Sequence, residues 1–139
     1  MTGWRMGYAA GPASIINEMI KLQQYTFVCA PSFAQRAVSK SLGTDLSDYI
    51  SSYRKKRVLM YEGLKDRYHI IKPGGAFYLF LQVPWGTDEG FVESAIKKNL
   101  LIIPGSVFSE RHTHFRISYA ANEETIRRGI DILNNLAKQ

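Results

Sequence analysis

The 139-residue sequence predicts an α/β protein built as an α+β sandwich, in which short strands are covered by amphipathic helices. Three observations lead to this. Apolar residues recur at helical spacing in five separate stretches, residues 76–83 and 114–119 alternate with a period of two, and these strand-like stretches are interleaved with the helical ones. With 45% hydrophobic, 12% aromatic and 22% charged residues, the composition is that of a chain with a core. The length suits one ordinary domain, or a small domain plus a remnant of another.

At the N-terminus, Trp4, Met6 and Tyr8 alternate with Arg5 and Gly7, which predicts a short extended segment with the cation and the smallest residue on one face. Gly11 and Pro12 then open a helix whose inward stripe is Ile15, Ile16, Met19, Ile20 and Leu22. A loop runs to about Ser32, the predicted N-cap of a second helix that turns Phe33, Ala34, Ala37 and Val38 inward and stops at a left-handed Gly43. Asp45 is the predicted cap of a long helix through about Arg67, with Leu46, Ile50, Tyr53, Met60 and Leu64 as its stripe and Gly63 as a weak point. Twenty such residues span about 30 Å.

Strand pattern starts at His69-Ile70-Ile71, turns at Pro73-Gly74-Gly75, and continues through residues 76–83, where apolar residues on both faces predict burial on both. Thr87 caps the next helix, with Asp88 and Glu89 in its first turn, Phe91, Val92, Ala95 and Ile96 inward, and an end near Asn99. Residues 100–103 read as a buried strand closed by Pro104-Gly105. After a polar loop comes the strand 114–119, where Arg116 shares a face with His114 and Ser118 while Phe115, Ile117 and Tyr119 take the other. Asn122 caps the last helix, which buries Ile126, Ile130, Leu133 and Ala137.

Eighteen basic against 12 acidic residues give a net charge of +6, which favours anionic ligands without choosing among phosphate, carboxylate and nucleic acid. The run Arg54-Lys55-Lys56-Arg57 reads as a solvated helix face. A single cysteine, Cys29, excludes a disulfide framework, and no apolar run approaches the roughly 18 residues of a membrane span. No membrane or nucleic-acid partner is expected, and a cytoplasmic setting is. His69, His112 and His114 lack metal-ligand spacing and accompanying carboxylates or cysteines, so no metal site is expected. Two arginines stand out by context, Arg5 between Gly3 and Gly7 and Arg116 opposite the apolar face of the strand 114–119. Each presents a rigid donor fork that matches phosphate or carboxylate, or that pairs with a carboxylate inside the protein.

Around those arginines the sequence resembles a known family. Gly3-Trp4-Arg5-Met6-Gly7-Tyr8 is similar to the segment that follows the catalytic lysine in fold-type I, pyridoxal-phosphate-dependent aminotransferases of the aspartate and aromatic type (class I/II). Phe115-Arg116-Ile117-Ser118-Tyr119-Ala120 resembles that family's C-terminal strand, and Pro104-Gly105-Ser106-Val107-Phe108 the loop preceding it. The resemblance covers the chain as the C-terminal third of a family member. It implies that residues 1–44 are a remnant of the large cofactor-binding domain, 45–67 the long connecting helix and 68–139 the small C-terminal domain. It further implies that Arg5 binds the phosphate of pyridoxal 5'-phosphate and Arg116 the substrate α-carboxylate. The Schiff-base lysine is expected four residues before Met1, so residues 1–139 alone would be inactive.

The implied activity is transfer of an amino group between an amino acid and a 2-keto acid, by a homodimer. In the family Ser109 is commonly glycine, which predicts a different path for the loop. No arginine occurs between Tyr25 and Ser32, where one branch holds a distal carboxylate. A carbon–sulfur lyase or synthase of the same fold is an alternative reading, and a non-enzymatic basic module that binds nucleic acid or a partner is another.

Overall fold

The computed structural model describes residues 2–138, so Met1 of the opening motif and Gln139 lie outside it. The chain divides into two compact units, residues 1–45 and 46–139.

In the second unit, β3 (His114–Ser118) is the middle strand of a three-stranded antiparallel sheet, flanked by β1 (Tyr78–Gln82) and the two-residue β2 (Ile103–Pro104). The register pairs Tyr78 with Ser118, Phe80 with Arg116, and Ile103 with Arg116 from the other side. Alternation along β3 sorts Phe115 and Ile117 onto the buried face with Leu79 and Leu81, and Tyr119 follows them inward. Helices α3 (Ser47–Leu64), α4 (Asp88–Ile96) and α5 (Glu123–Leu136) supply Met60, Leu64, Phe91, Ala95, Ile126, Ile130 and Leu133 to the same core. Each of these side chains except the small Ala95, moved from water, contributes about 1.5–3 kcal/mol.

Several polar groups of the core are paired, although Arg57 Nε and Asn134 Oδ1 are buried without a partner among the described residues. The Tyr68 hydroxyl donates to Leu133 O at 2.6 Å and Trp85 Nε1 to Leu136 O at 2.8 Å, fastening α5 to the loops that flank β1. Burial pushes the Tyr68 and Tyr119 phenols up from their ordinary value. Gly63 lets two helices meet: a Cβ there would stand 2.9 Å from Ile130 Cδ1, and Asn134 Nδ2 donates to Gly63 O at 2.9 Å. The residue read as a weak point in a helix is therefore the place where α5 crosses α3.

Thr87 Oγ1 accepts from Gly90 N and Asn122 Oδ1 from Thr125 N, two of the four caps expected. Asn99, with φ of 60°, follows the end of α4. Other expectations are corrected. Strand structure near residue 70 amounts to one bridge, Ile70 to Leu81 of β1, and that at 100–103 is confined to Ile103–Pro104, where a proline without an N–H ends the pairing with β3. Burial of β1 is one-sided: Leu79 and Leu81 are covered, whereas Phe80 is 45% exposed. On the sheet's second face Phe108 lies against Phe80 and Arg116. α3 begins at Ser47 after Leu46 rather than after Asp45 and ends at Leu64. Its first turns leave Leu46 and Ile50 exposed. Arg57, placed on a solvated face by its sequence, is half-buried and donates from Nη1 to Pro73 O and Gly74 O at 3.1 and 2.8 Å.

In the first unit, α1 (Ala13–Thr26) runs four residues beyond its predicted stripe and buries none of its side chains. α2 (Ser32–Ser41) is capped by Pro31, whose fixed φ of −55° starts the helix, and Ser32 is its first residue instead of its cap. Leu42 beyond its end stays right-handed, and Gly43 is not left-handed. Ala34 is buried and Phe33 meets Trp4 edge-on at 5.9 Å. The extended segment predicted around Arg5 is instead a 3-10 turn, Thr2–Trp4, followed by Arg5 at φ 53°. Three alternating residues without a strand to receive their backbone hydrogen bonds do not hold an extended form. Among the described residues no helix is long and apolar enough to cross a membrane.

Candidate functional site

Arg116 projects from the open face of the sheet, because its neighbours Phe115 and Ile117 occupy the core side of β3. Its guanidinium lies between two rings: Cζ is 4.4 Å from the centre of Tyr78 and 4.2 Å from that of Phe108. Tyr78 comes from β1, and Phe108 from the end of a 3-10 turn, Gly105–Val107. Among the described residues Arg116 has no hydrogen-bonded or ion-paired partner, so the internal ion pair open to it by sequence is not formed. A guanidinium stacked on aromatic faces keeps its in-plane donors free for an anion.

Around it the open face is aromatic. Phe80 stacks on His114 with ring centres 5.0 Å apart and planes 7° from parallel, and Phe108 meets Phe80 edge-on at 6.4 Å. Thr113 Oγ1 holds His114 Nδ1 at 2.9 Å. The turn carrying Phe108 depends on Gly105, where a Cβ would fall 2.5 Å from His114 O. Only glycine allows the turn to lie against β3 so closely, a physical reason for the Pro104-Gly105 pair. Phe108 N and Ser109 N both donate to Gly105 O, and Ser109 Oγ accepts from Arg111 N at 3.0 Å.

Asp88 anchors the same turn. It has no exposed surface, and its Oδ2 accepts from Ser106 N at 2.7 Å while Oδ1 lies 3.2 Å from His112 Nδ1. Burial alone would raise this carboxyl, but donors from Ser106, the Glu89 N–H and His112 together hold it below the usual carboxylate range. Its sequence context, an acid in the first turn of a helix, concealed this role. The signal for Tyr78 and Phe80 was stronger: large aromatic residues on the face of a strand opposite the core.

Arg5 belongs to the first unit. It is exposed and, among the described residues, unpaired, and it borders a cavity of about 530 Å³ with Tyr8, Ile16, Met19, Ile20 and Phe27. Gly3 and Gly7 beside it have open space where a Cβ would sit. Among the described residues no three His, Cys, Asp or Glu side chains group as for a metal ion.

The family model described as Aminotransferase class I and II matches residues 1–133. The chain belongs to this family. It is 36% identical to a probable aspartate aminotransferase of Methanocaldococcus jannaschii, over 98% of this chain and 39% of that protein. It is 31% identical to aromatic-amino-acid aminotransferase 2 of Thermococcus litoralis, over 100% of this chain and 38% of that one. A crystal structure of aspartate aminotransferase from Thermotoga maritima matches it with a TM-score of 0.81 at 30% identity, covering 100% of this chain and 37% of its own. The chain thus spans less than two fifths of the length of these aminotransferases, and its mixed helical and antiparallel architecture is that of an aminotransferase fragment.

Proposed function

We propose that residues 1–139 supply two anion-binding arginines to a pyridoxal-phosphate-dependent aminotransferase that moves an amino group between an amino acid and a 2-keto acid. The observation that carries this reading is Arg116: a guanidinium on an open sheet face, clamped by two rings and lacking any carboxylate among the described residues. Such a fork takes a carboxylate bidentately, fixing the orientation of the substrate as well as its charge. Arg5 is proposed to hold the cofactor phosphate. Its unpaired guanidinium suits a phosphate, and the flanking glycines leave the backbone approachable.

Bound there, the cofactor would act as the electron sink at the substrate α-carbon. The chain's own contribution is binding and orientation. No lysine of residues 1–139 stands in the context of the Schiff-base lysine, so the chain by itself is proposed to be inactive. The complete enzyme is proposed to be a cytoplasmic homodimer.

The test uses a protein in which residues 1–139 follow the segment carrying the catalytic lysine. Arg116→Lys keeps the charge and loses the fork, and should weaken productive amino-acid binding by about 2–5 kcal/mol with cofactor retention unchanged. Arg5→Lys should loosen the cofactor first. Equal effects of both variants on both quantities would remove this division of roles, and release of ammonia or pyruvate without keto-acid dependence would move the assignment to a lyase.

A further inference from the structure

The guanidinium plane of Arg116 is set by its two ring neighbours, since no hydrogen bond to a described residue holds it. One wall, Tyr78, is fixed by the β1–β3 ladder. The other, Phe108, stands on the connection between β2 and β3, and that connection is tied at both ends to a single side chain. Asp88 accepts from Ser106 N near its start and from His112 Nδ1 near its end, and its own N–H donates to His112 O at 3.3 Å. A fully buried carboxylate is retained where it meets several donors at once, and here two of those donors, Ser106 and His112, come from the two ends of one loop.

We propose that Asp88 is a positioning residue for substrate: by pinning both ends of the β2–β3 connection it holds Phe108 against Arg116 and sets the plane in which the guanidinium fork meets a carboxylate. This rests on the reading that Arg116 takes the substrate carboxylate. Phe108 is then the movable wall of the carboxylate site, and His112 the exposed half of the latch.

The experiment measures, in the complete enzyme, the amino-acid concentration giving half the maximal rate of the half-reaction, using the best donor from a panel of amino acids. Phe108→Leu and Asp88→Asn should each raise it about three- to tenfold, the scale of one lost ring–cation contact, with the saturated rate and cofactor retention altered less than twofold. Phe108→Tyr keeps the ring and should restore the starting value. Because both variants act through the same contact, Asp88→Asn combined with Phe108→Leu should be no worse than Phe108→Leu alone. Additive effects, or a parallel fall in saturated rate and cofactor retention, would make Asp88 merely structural and overturn the proposal. If Asp88→Asn does not fold, His112→Gln replaces it, with a smaller rise in the same direction expected, and no rise overturning the proposal. Arg116→Lys separates the two levels: a large effect there beside none at Asp88 or His112 rejects the latch alone, whereas no effect of Arg116→Lys rejects the carboxylate reading beneath it.

Discussion

Helices α1 and α5 are each 14 residues long and each carry apolar residues at helical spacing, yet α1 buries none of its residues while α5 buries Ile126, Gly129, Ile130, Leu133 and Leu136. The difference lies in what stands opposite. α5 meets Gly63 of α3, the Tyr68 hydroxyl and the Trp85 indole. α1 leaves Ile15, Met19, Ile20 and Leu22 in solvent. An apolar stripe states which face requires cover, and only a partner element turns that requirement into stability.

The sharpest way to break this contrast is hydrogen exchange on residues 1–139. Amides of β3 and α5 should open only with the whole second unit, about a thousandfold or more slower than those of α1, which should exchange near the rate of a fraying helix. Equal protection would mean that α1 is held by something other than burial. Next in size, Leu81→Ala should lower the urea-unfolding free energy of the second unit by about 2–5 kcal/mol, and Leu22→Ala should change it by less than about 0.5 kcal/mol.

A smaller effect should come from pH. Asp88 has a folded pKa below its ordinary 3.8, so its stabilisation is complete well above 3.8 and is lost as pH falls through the lower folded value. Urea midpoints measured down through this range should fall less steeply for Asp88→Asn than for the parent, and parallel curves would dissociate the carboxylate from stability. The smallest is local: Asn122→Ala removes the Thr125 N–H acceptor and should cost about 1 kcal/mol in the same denaturation measurement.

What could be read from the residues was whatever nearest neighbours decide. Thr87 and Asn122 announced two helix starts, and the alternation along residues 114–119 put Arg116 opposite Phe115 and Ile117, because caps and strand faces depend on spacings of two or three. The two arginines were singled out by family resemblance as well as by chemistry. The reach of Asp88 to Ser106 and His112, the anchoring of Arg57 on Pro73 and Gly74, and the ring clamp on Arg116 join residues distant in sequence, and no local pattern encodes them. Arg5 shows the converse error. A period of two was present, but without a neighbouring strand it could not become one.

The strand order has a consequence for synthesis. Of the three strands of the sheet β3 is synthesised last and lies in the middle, so β1 and β2 emerge with no common edge to join and must wait for His114–Ser118. Until then Leu79, Leu81 and Phe80 belong to an unpaired, apolar segment of nascent chain, the kind of intermediate that chaperones bind. Premature termination anywhere before β3 therefore abolishes the whole sheet rather than shortening it.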